Sequence, residues 1–391
     1  MEKQTKTLSF LKDVLICSLG AYGGPEAHYG VFLDQMVSKK RYITEEELAE
    51  LMALTSFLPG PSSTQTLVSI GLKVGGRKLG ALTMLVWSLP IVLFMIFLSF
   101  MYNVLNTLNI SDNFLRFIGP MAVGFIFLAG FKLSKKVVQD SVNTILLIIS
   151  FATSLFFRNI FIFPLLLLIG GLIKVLLSKE TNLWTKTKLN PPYKIFMLFL
   201  GVAGLSFLLS LWINHPIVYL FQLFYRFGYL VIGGGQVVIP YMYETLVHDN
   251  QFLTSEQFLT GFGLVQGLPG PMFSFSAYVG GLSASSETVL VQILAGFVSA
   301  VGIFLPGILL IYFVYPIWES LKNIKGIRIA MSGVSSIAGG LILSAGVKLF
   351  IDSGITIINL IVVALTIGLL LTKKIPAPFI VLLALGLGLI L

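Results

Sequence analysis

Apolar runs dominate this chain, and polar residues fall between them in short junctions. Runs at about 79–103, 114–133, 138–157 and 159–177, and again at about 288–315, 328–350, 354–371 and 375–391, have the length of a helix crossing a hydrocarbon core of about 30 Å. A further run, 194–213, stands alone between the two sets. Ahead of each set lie shorter apolar arms interrupted by glycine: 8–22 and 26–38 around Gly23-Gly24, then 217–232 and 236–247 around Gly233-Gly234-Gly235. An arm of about 13 residues reaches about 20 Å as a helix, short of a full crossing. Each pair of arms is followed by an acidic helix start, Thr44-Glu45-Glu46 or Thr254-Ser255-Glu256, with the spacing of a capping box. The helix that follows runs into Leu58-Pro59-Gly60-Pro61 or Leu268-Pro269-Gly270-Pro271, and a short helix leaves it.

These parts form an internal repeat. At an offset of 210, ALTSFLPGP (53–61) meets GLVQGLPGP (263–271), Gly23-Gly24 meets Gly233-Gly234, Thr44 meets Thr254, and Asp34 meets Glu244. Further along the offset becomes 216: Gly80 meets Gly296, Pro90 meets Pro306, Gly130 meets Gly346, and Lys132 meets Lys348. One insertion of 6 residues around Ser283–Thr288 accounts for the change. The expected domains are a first repeat over 1–178, a linker with the unpaired helix over 179–213, and a second repeat over 214–391.

Charge placement gives the halves opposite orientations. Basic residues in the first half cluster at Lys39-Lys40-Arg41, at Lys73 with Arg77-Lys78, and at Lys132 with Lys135-Lys136. In the second half the junctions 236–256 and 281–290 carry none, and the charge moves to Lys322, Lys325, Arg328 and Lys373-Lys374. The bias of Lys and Arg toward the cytoplasmic side then inverts one half against the other, and 194–213 supplies the odd crossing. Inverted repeats with broken helices are a recurring plan of secondary transporters. The fold class expected is therefore an all-α integral membrane protein. It has two inverted-topology repeats, each with two broken or re-entrant hairpins and four long transmembrane helices, joined by one extra helix.

Composition supports lipid as the solvent. The 391 residues are 56% hydrophobic and 11% charged, with a mean hydropathy of +0.93, against about 25% charged in soluble domains. The net charge of +9 is read as cytoplasmic loop charge, with no nucleic-acid partner. A single cysteine, Cys17, excludes an intrachain disulfide or a cysteine-based metal cluster. No HExxH, GxSxG, cysteine–histidine pair or P-loop appears, so neither an enzyme nor a primary pump is expected, and no cofactor or metal. Asp13 breaks the first apolar stretch and no small-residue cleavage site follows, which argues against a removed signal peptide. The sequence is silent on oligomeric state, and a homodimer stays open.

Chemistry is expected at the breaks. Backbone polar groups freed in lipid are costly unless protein or a wet cavity meets them. Pro59 and Pro269 end one helix, and Pro61 and Pro271 suit the first turn of the next. Unpaired amides then lie at Ser62, Ser63 and Thr64 in one half, and at Met272, Phe273 and Ser274 in the other. A helix N-terminus favours anions, and the hydroxyls of Ser62, Ser63, Thr64, Ser274 and Ser276 add donors. Facing N-termini would hold a tetrahedral dianion with neutral dipoles. The other candidate ligands are the glycines Gly23, Gly24, Gly233, Gly234 and Gly235, the turn residues Gly60 and Gly270, the amides Gln65, Gln236 and Gln266, and Arg226. Arg226 either neutralises the anion or snorkels to the interface. Glu26 and His28 are coupling candidates, with helix capping an alternative for Glu26. Lys132 and Lys348 lie near segment ends and are read as anchors.

The stretches YGGPEAHYGVF (22–32), LTSFLPGPSSTQ (54–65), GGGQVVIP (233–240) and GFGLVQGLPGPMFSFSAYVG (261–280) resemble the chromate ion transporter family, long two-domain type. The likeness spans both halves. It implies transport of chromate across the bacterial inner membrane, and sulfate, alike in shape and charge, is the natural second oxyanion. The expected function is a secondary oxyanion transporter. An anion channel built on the same dipoles is the alternative, and unitary currents would distinguish it.

Overall fold

The computed structural model describes residues 2–23, 25–108, 111–157, 162–184, 190–230 and 238–390, and all regular structure among them is helical. Helix α1 (Glu2–Gly20) precedes α2 (Pro25–Phe32), which continues as a π-helix over Leu33–Lys39. Then come α3 (Glu45–Phe57), α4 (Ser62–Thr107), the short α5 (Ser111–Phe114), α6 (Ile118–Val137), α7 (Ser141–Phe156) and α8 (Ile162–Leu176). After α9 (Tyr193–Trp212) the order recurs: α10 (Pro216–Leu230), α11 (Val238–Tyr243) with a π-helix over Glu244–Asp249, and α12 (Ser255–Gln266). A 3-10 turn (Met272–Ser274) leads into α13 (Phe275–Ser283), followed by α14 (Val289–Val314), α15 (Trp318–Leu321), α16 (Lys325–Asp352), α17 (Ile357–Thr372) and α18 (Ala377–Ile390).

Local sequence explains the boundaries. Thr44 and Thr254 accept from the amides of Glu47 and Gln257, whose side chains reach back to the cap amides, completing both capping boxes. Arg41 and Gln251, related by 210, both turn the chain with a left-handed backbone. Within α4 the helix breaks at Gly75 and Gly76 (φ 74°), so the short helix leaving the first proline turn ends there. Its counterpart break lies between α13 and Thr288, the cap of α14, where the six-residue insertion was placed. The first arm starts earlier than expected, at Glu2. The π-helical ends of the second arms were not anticipated.

Contacts between the halves are reciprocal. On the α4–α14 pair, Gly80 abuts Tyr312 and Gly296 abuts Ile96. Under the 216 offset these are the same contact made twice. On α6–α16, Gly130 abuts Leu343 and Gly346 abuts Phe127, again one contact exchanged. In each pair the residue number rises on one helix as it falls on the other. Equivalent helices of the two halves therefore run antiparallel about a pseudo-two-fold axis. Glycines sit at these crossings because small residues let helix backbones approach closely where no hydrophobic force drives association. The relation extends outward: Gly124 lies against Val363 and Thr366, as Gly340 lies against Leu147 and Ser150.

Helix α9 is outside this exchange. Apolar side chains such as Met197, Leu205, Phe207 and Leu211 are exposed around it, and Ser206 is its buried residue. A helix apolar all round with so little protein cover has lipid as its solvent.

Candidate functional site

The two proline turns lie at the middle of the α4–α14 crossing. Gly80 to Ile96 covers about 24 Å of helix at about 1.5 Å per residue, and the midpoint falls beside Pro90 and Pro306, the prolines inside these helices. Gly60 and Gly307 touch there. Gly270 abuts Ile91, the counterpart of Gly307 under the 216 offset. Each half thus places its proline turn on the residue that follows the other half's intrahelical proline.

The first turn is built tightly. After α3, Leu58 is extended (ψ 144°), as a residue before proline must be. Gly60 takes φ 124°, a backbone that a side chain would strain, and a Cβ there would lie 2.9 Å from the Gly307 Cα. Gln65 locks the turn by donating from Nε2 to Pro59 O at 2.8 Å and to Gly307 O at 2.9 Å. Pro61 occupies the cap position rather than the first helical turn, and Ser62 begins the helix. The amides of Ser62, Ser63 and Thr64 accordingly have no carbonyl of their own helix to meet, and the positive end of the helix dipole lies there.

The second turn differs. Gly270 (φ 85°) donates its amide to Ala21 O at 2.7 Å, and its position also borders Ser18. Pro271 is again a cap, but the next three residues form a 3-10 turn before α13. Ser274 is fully buried and its hydroxyl has no partner, whereas Ser276 donates to Phe273 O at 2.7 Å. Gln266 reaches the Met272 sulfur at 3.6 Å.

Trp87 joins the first turn to the arms. Its indole donates to Thr64 Oγ1 at 3.0 Å, and its carbonyl accepts from Ser18 at 2.7 Å. In the second half Gly228 abuts the Ile303 carbonyl, the counterpart of the Ser18 contact. The ring of His28 meets Trp87 edge-on at 5.5 Å, and both its nitrogens are buried without a partner.

The structure thus gathers Pro59, Gly60, Pro61, Ser62, Ser63, Thr64, Gln65 and His28 on one side of the crossing, with Pro269, Gly270, Pro271, Gln266, Ser274 and Ser276 around the other turn. Gly23 takes φ 86° at the exposed end of α1. Gly24, Gly233, Gly234, Gly235 and Gln236 lie outside the described residues, as does the side chain of Glu26. Arg226 is half-buried on α10; its guanidinium carbon is 5.9 Å from the Tyr241 ring centroid and its Nε has no partner. Lys348 is not a surface anchor: its side chain is 11% exposed and its Nζ lies 3.4 Å from Glu244. Sequence reading missed Ser18, Trp87 and Gly307. The signal for Trp87 and Gly307 was their place beside Pro90 and Pro306 on the repeat offset, and for Ser18 only its match to Gly228 at the offset of 210.

Exposed ion pairs brace the loops away from this centre. Lys73 and Lys322 hydrogen-bond Glu47 and Glu50 and hold those carboxyls below their usual range. Lys325 does the same for Glu180, on the linker between the halves.

A profile described as chromate transporter matches residues 8–175 and 218–389, once in each half. A probable chromate transport protein of Synechococcus elongatus is 27% identical over 374 residues, covering 94% of this chain and 91% of the relative. Chromate transport proteins of Cupriavidus metallidurans and Pseudomonas aeruginosa are 26% and 24% identical, over 92% and 85% of this chain and 87% and 77% of their own lengths. No solved structure matches. The chain belongs to the chromate transporter family, a family of multi-pass membrane transport proteins and not of enzymes.

Proposed function

We propose that this protein is a secondary transporter that carries chromate, with sulfate as a competing dianion, across the bacterial inner membrane. Residues 1–178 and 214–391 act as oppositely oriented halves, linked through 179–213. The observation that carries the reading is the reciprocal seating of the two proline turns on the proline-bent centres of α4 and α14. A shared midpoint between antiparallel repeats is where a rocking carrier holds its cargo. The amides of Ser62, Ser63 and Thr64 are the anion's principal donors. His28, with two unpartnered buried nitrogens beside Trp87, whose indole bonds Thr64, is a further side chain able to add one more. Dipolar donors suit a carrier because they bind a dianion without the full attraction of a fixed cation, and so release it.

The contact between Gly60 and Gly307 closes the first turn against α14. Ser62 and Ser63 beside it are part-exposed, and a rocking motion that parts this contact would open the turn from the α14 side, as a carrier requires. The test is flux of chromate, sulfate, molybdate and phosphate into liposomes holding the purified protein. Saturable chromate uptake inhibited by sulfate is expected; unitary currents would establish the channel instead. Labelling should place residues 39–41 and 248–254 on opposite faces, and finding them on one face would remove the inverted arrangement.

A further inference from the structure

Two carboxylates are buried among the described residues, Asp13 and Glu244, and neither touches a proline turn. Asp13 is fully engaged: Gln35 donates at 2.8 Å and Tyr42 at 2.7 Å, and Lys40 lies at 3.3 Å. Glu244 has one charged partner, Lys348, at 3.4 Å. Removing the charge on Asp13 strands three donors, whereas removing it from Glu244 strands one ammonium.

The surroundings of Glu244 grade from wet to dry along one face of α16. Residues 344, 348 and 352 are spaced by four and share that face. At the outer end Asp352, 21% exposed, accepts from the Tyr243 hydroxyl at 2.7 Å and lies 3.4 Å from His248 Nε2. One turn inward Lys348 meets Glu244, and one turn further Ser344 is fully buried with an unpartnered hydroxyl. Thr245, beside Glu244, is also buried with a free hydroxyl. The other charged groups around the arm are Arg226, Asp249 and exposed Glu256; Asp249 lies in the field of Glu244, His248 and Arg226. Ionisable side chains inside membrane segments are expensive and mark ion pathways, and π-helical segments such as Glu244–Asp249 recur at functional sites.

We propose that Glu244 binds a proton that is co-transported with the anion, with Lys348 as its counter-ion and Asp352, His248 and Tyr243 as its access to solvent. Protonation neutralises the carboxylate and leaves Lys348 with an uncompensated charge, which a low-dielectric interior tolerates poorly. The arm then loses its tie to α16. Tyr243, next in the chain, touches Phe258 of α12 at 5.1 Å, and Phe258 touches Phe275 at 5.1 Å, just past the second proline turn. A shift of the arm therefore reaches that turn through three rings packed edge to face. His28 is the weaker candidate: Trp87 and Phe32 wall it in and neither nitrogen has a partner to pass a proton on. The equivalent position in the first half, Asp34, is exposed and paired with Lys39, so only one half carries the site.

This inference rests on the carrier reading, and one set of measurements separates the two. Liposomes holding the full chain and a trapped pH-sensitive dye report chromate exchange, chromate accumulation driven by a pH gradient, and proton movement. Glu244→Gln should exchange chromate within about twofold of the parent, an expectation that follows from a coupling proton being silent in exchange. It should neither accumulate chromate in response to pH nor move protons. Glu244→Gln/Lys348→Gln, which leaves no stranded charge, should behave the same way. Proton-linked accumulation surviving in either variant overturns the proposal, and so does exchange lost in both although they purify like the parent. A parent protein that moves chromate without protons also overturns it and leaves the carrier reading standing. A parent that moves no chromate removes both.

Discussion

The two halves share a plan, and the divergence lies in what each presents at its proline turn. The first turn opens directly into a helix through Ser62, Ser63, Thr64 and Gln65; the second passes through a 3-10 turn of Met272, Phe273 and Ser274 to Phe275. Gln65 ties the first turn to the opposite half, and Phe275 stands at the equivalent place in the second, packed against Phe258 and Phe262. Gly60 rests on bare backbone at Gly307, whereas Gly270 rests on the Ile91 side chain. The lesson is a division of labour: polar donors concentrate in the first turn, and aromatic contacts and the Glu244–Lys348 pair concentrate in the second half.

The largest expected effect follows from the seating of the two glycines. A Cβ at Gly60 would lie 2.7 Å from Gln65 Nε2 and 2.9 Å from the Gly307 Cα, and backbone cannot yield. Gly60→Ala should cut chromate flux per inserted protein by at least about tenfold, given local strain on the order of 1–3 kcal/mol. At Gly270 the close atom is Ile91 Cγ1 at 2.9 Å, the end of a flexible side chain. Gly270→Ala should cost less flux, and Ile91→Ala should restore part of it. Equal losses at both glycines, with no rescue, would erase the distinction between the turns.

A middle-sized effect tests the buried carboxylates. Leu223 occupies the place in α10 that Asp13 holds in α1, and it is buried there. Asp13→Leu therefore installs the second half's residue in the first. It strands Gln35, Tyr42 and Lys40, and loss of one partner of a buried pair costs about 3–5 kcal/mol; the partial exposure of Lys40 places this case at or below the lower end. A lower melting temperature in detergent with little change in flux per folded molecule is expected. An unchanged melting temperature would show that the network carries no stability.

The sequence disclosed the scaffold better than the chemistry, and the reason is physical. Constant offsets recorded Pro90 with Pro306 and Gly130 with Gly346 because both halves need the same bends and close crossings. Capping boxes at Thr44 and Thr254 were legible because they are local. Gln65 gave no sign of its reach to Gly307, 242 positions away, nor Glu244 of its pairing with Lys348, 104 positions away. Such contacts depend on how antiparallel halves fold over one another, which no spacing within either half encodes. Lys348 misled for a related reason: near a helix end a lysine usually snorkels to the interface, and here the arm covers it.

The smallest effect concerns the surface pairs that brace the halves. Lys322 joins Glu50 of the first half across 272 positions and holds its carboxyl below the ordinary range. A depressed carboxyl stabilises the fold fully above the ordinary range, near about pH 4.3 for glutamate, and loses that contribution as pH falls through its lowered folded-state value. Glu50→Gln should therefore lower the melting temperature slightly at pH 7, and the gap to the parent should close as pH drops below about 4. The gap stays small because Glu50 and Lys322 are both about one-third exposed, and exposed pairs are screened by solvent. Salt should close it at neutral pH as acid does. A gap that persisted in both conditions would mean that Glu50 acts by fit against Trp318 and its neighbours, and the bracing between halves would then be steric, not electrostatic.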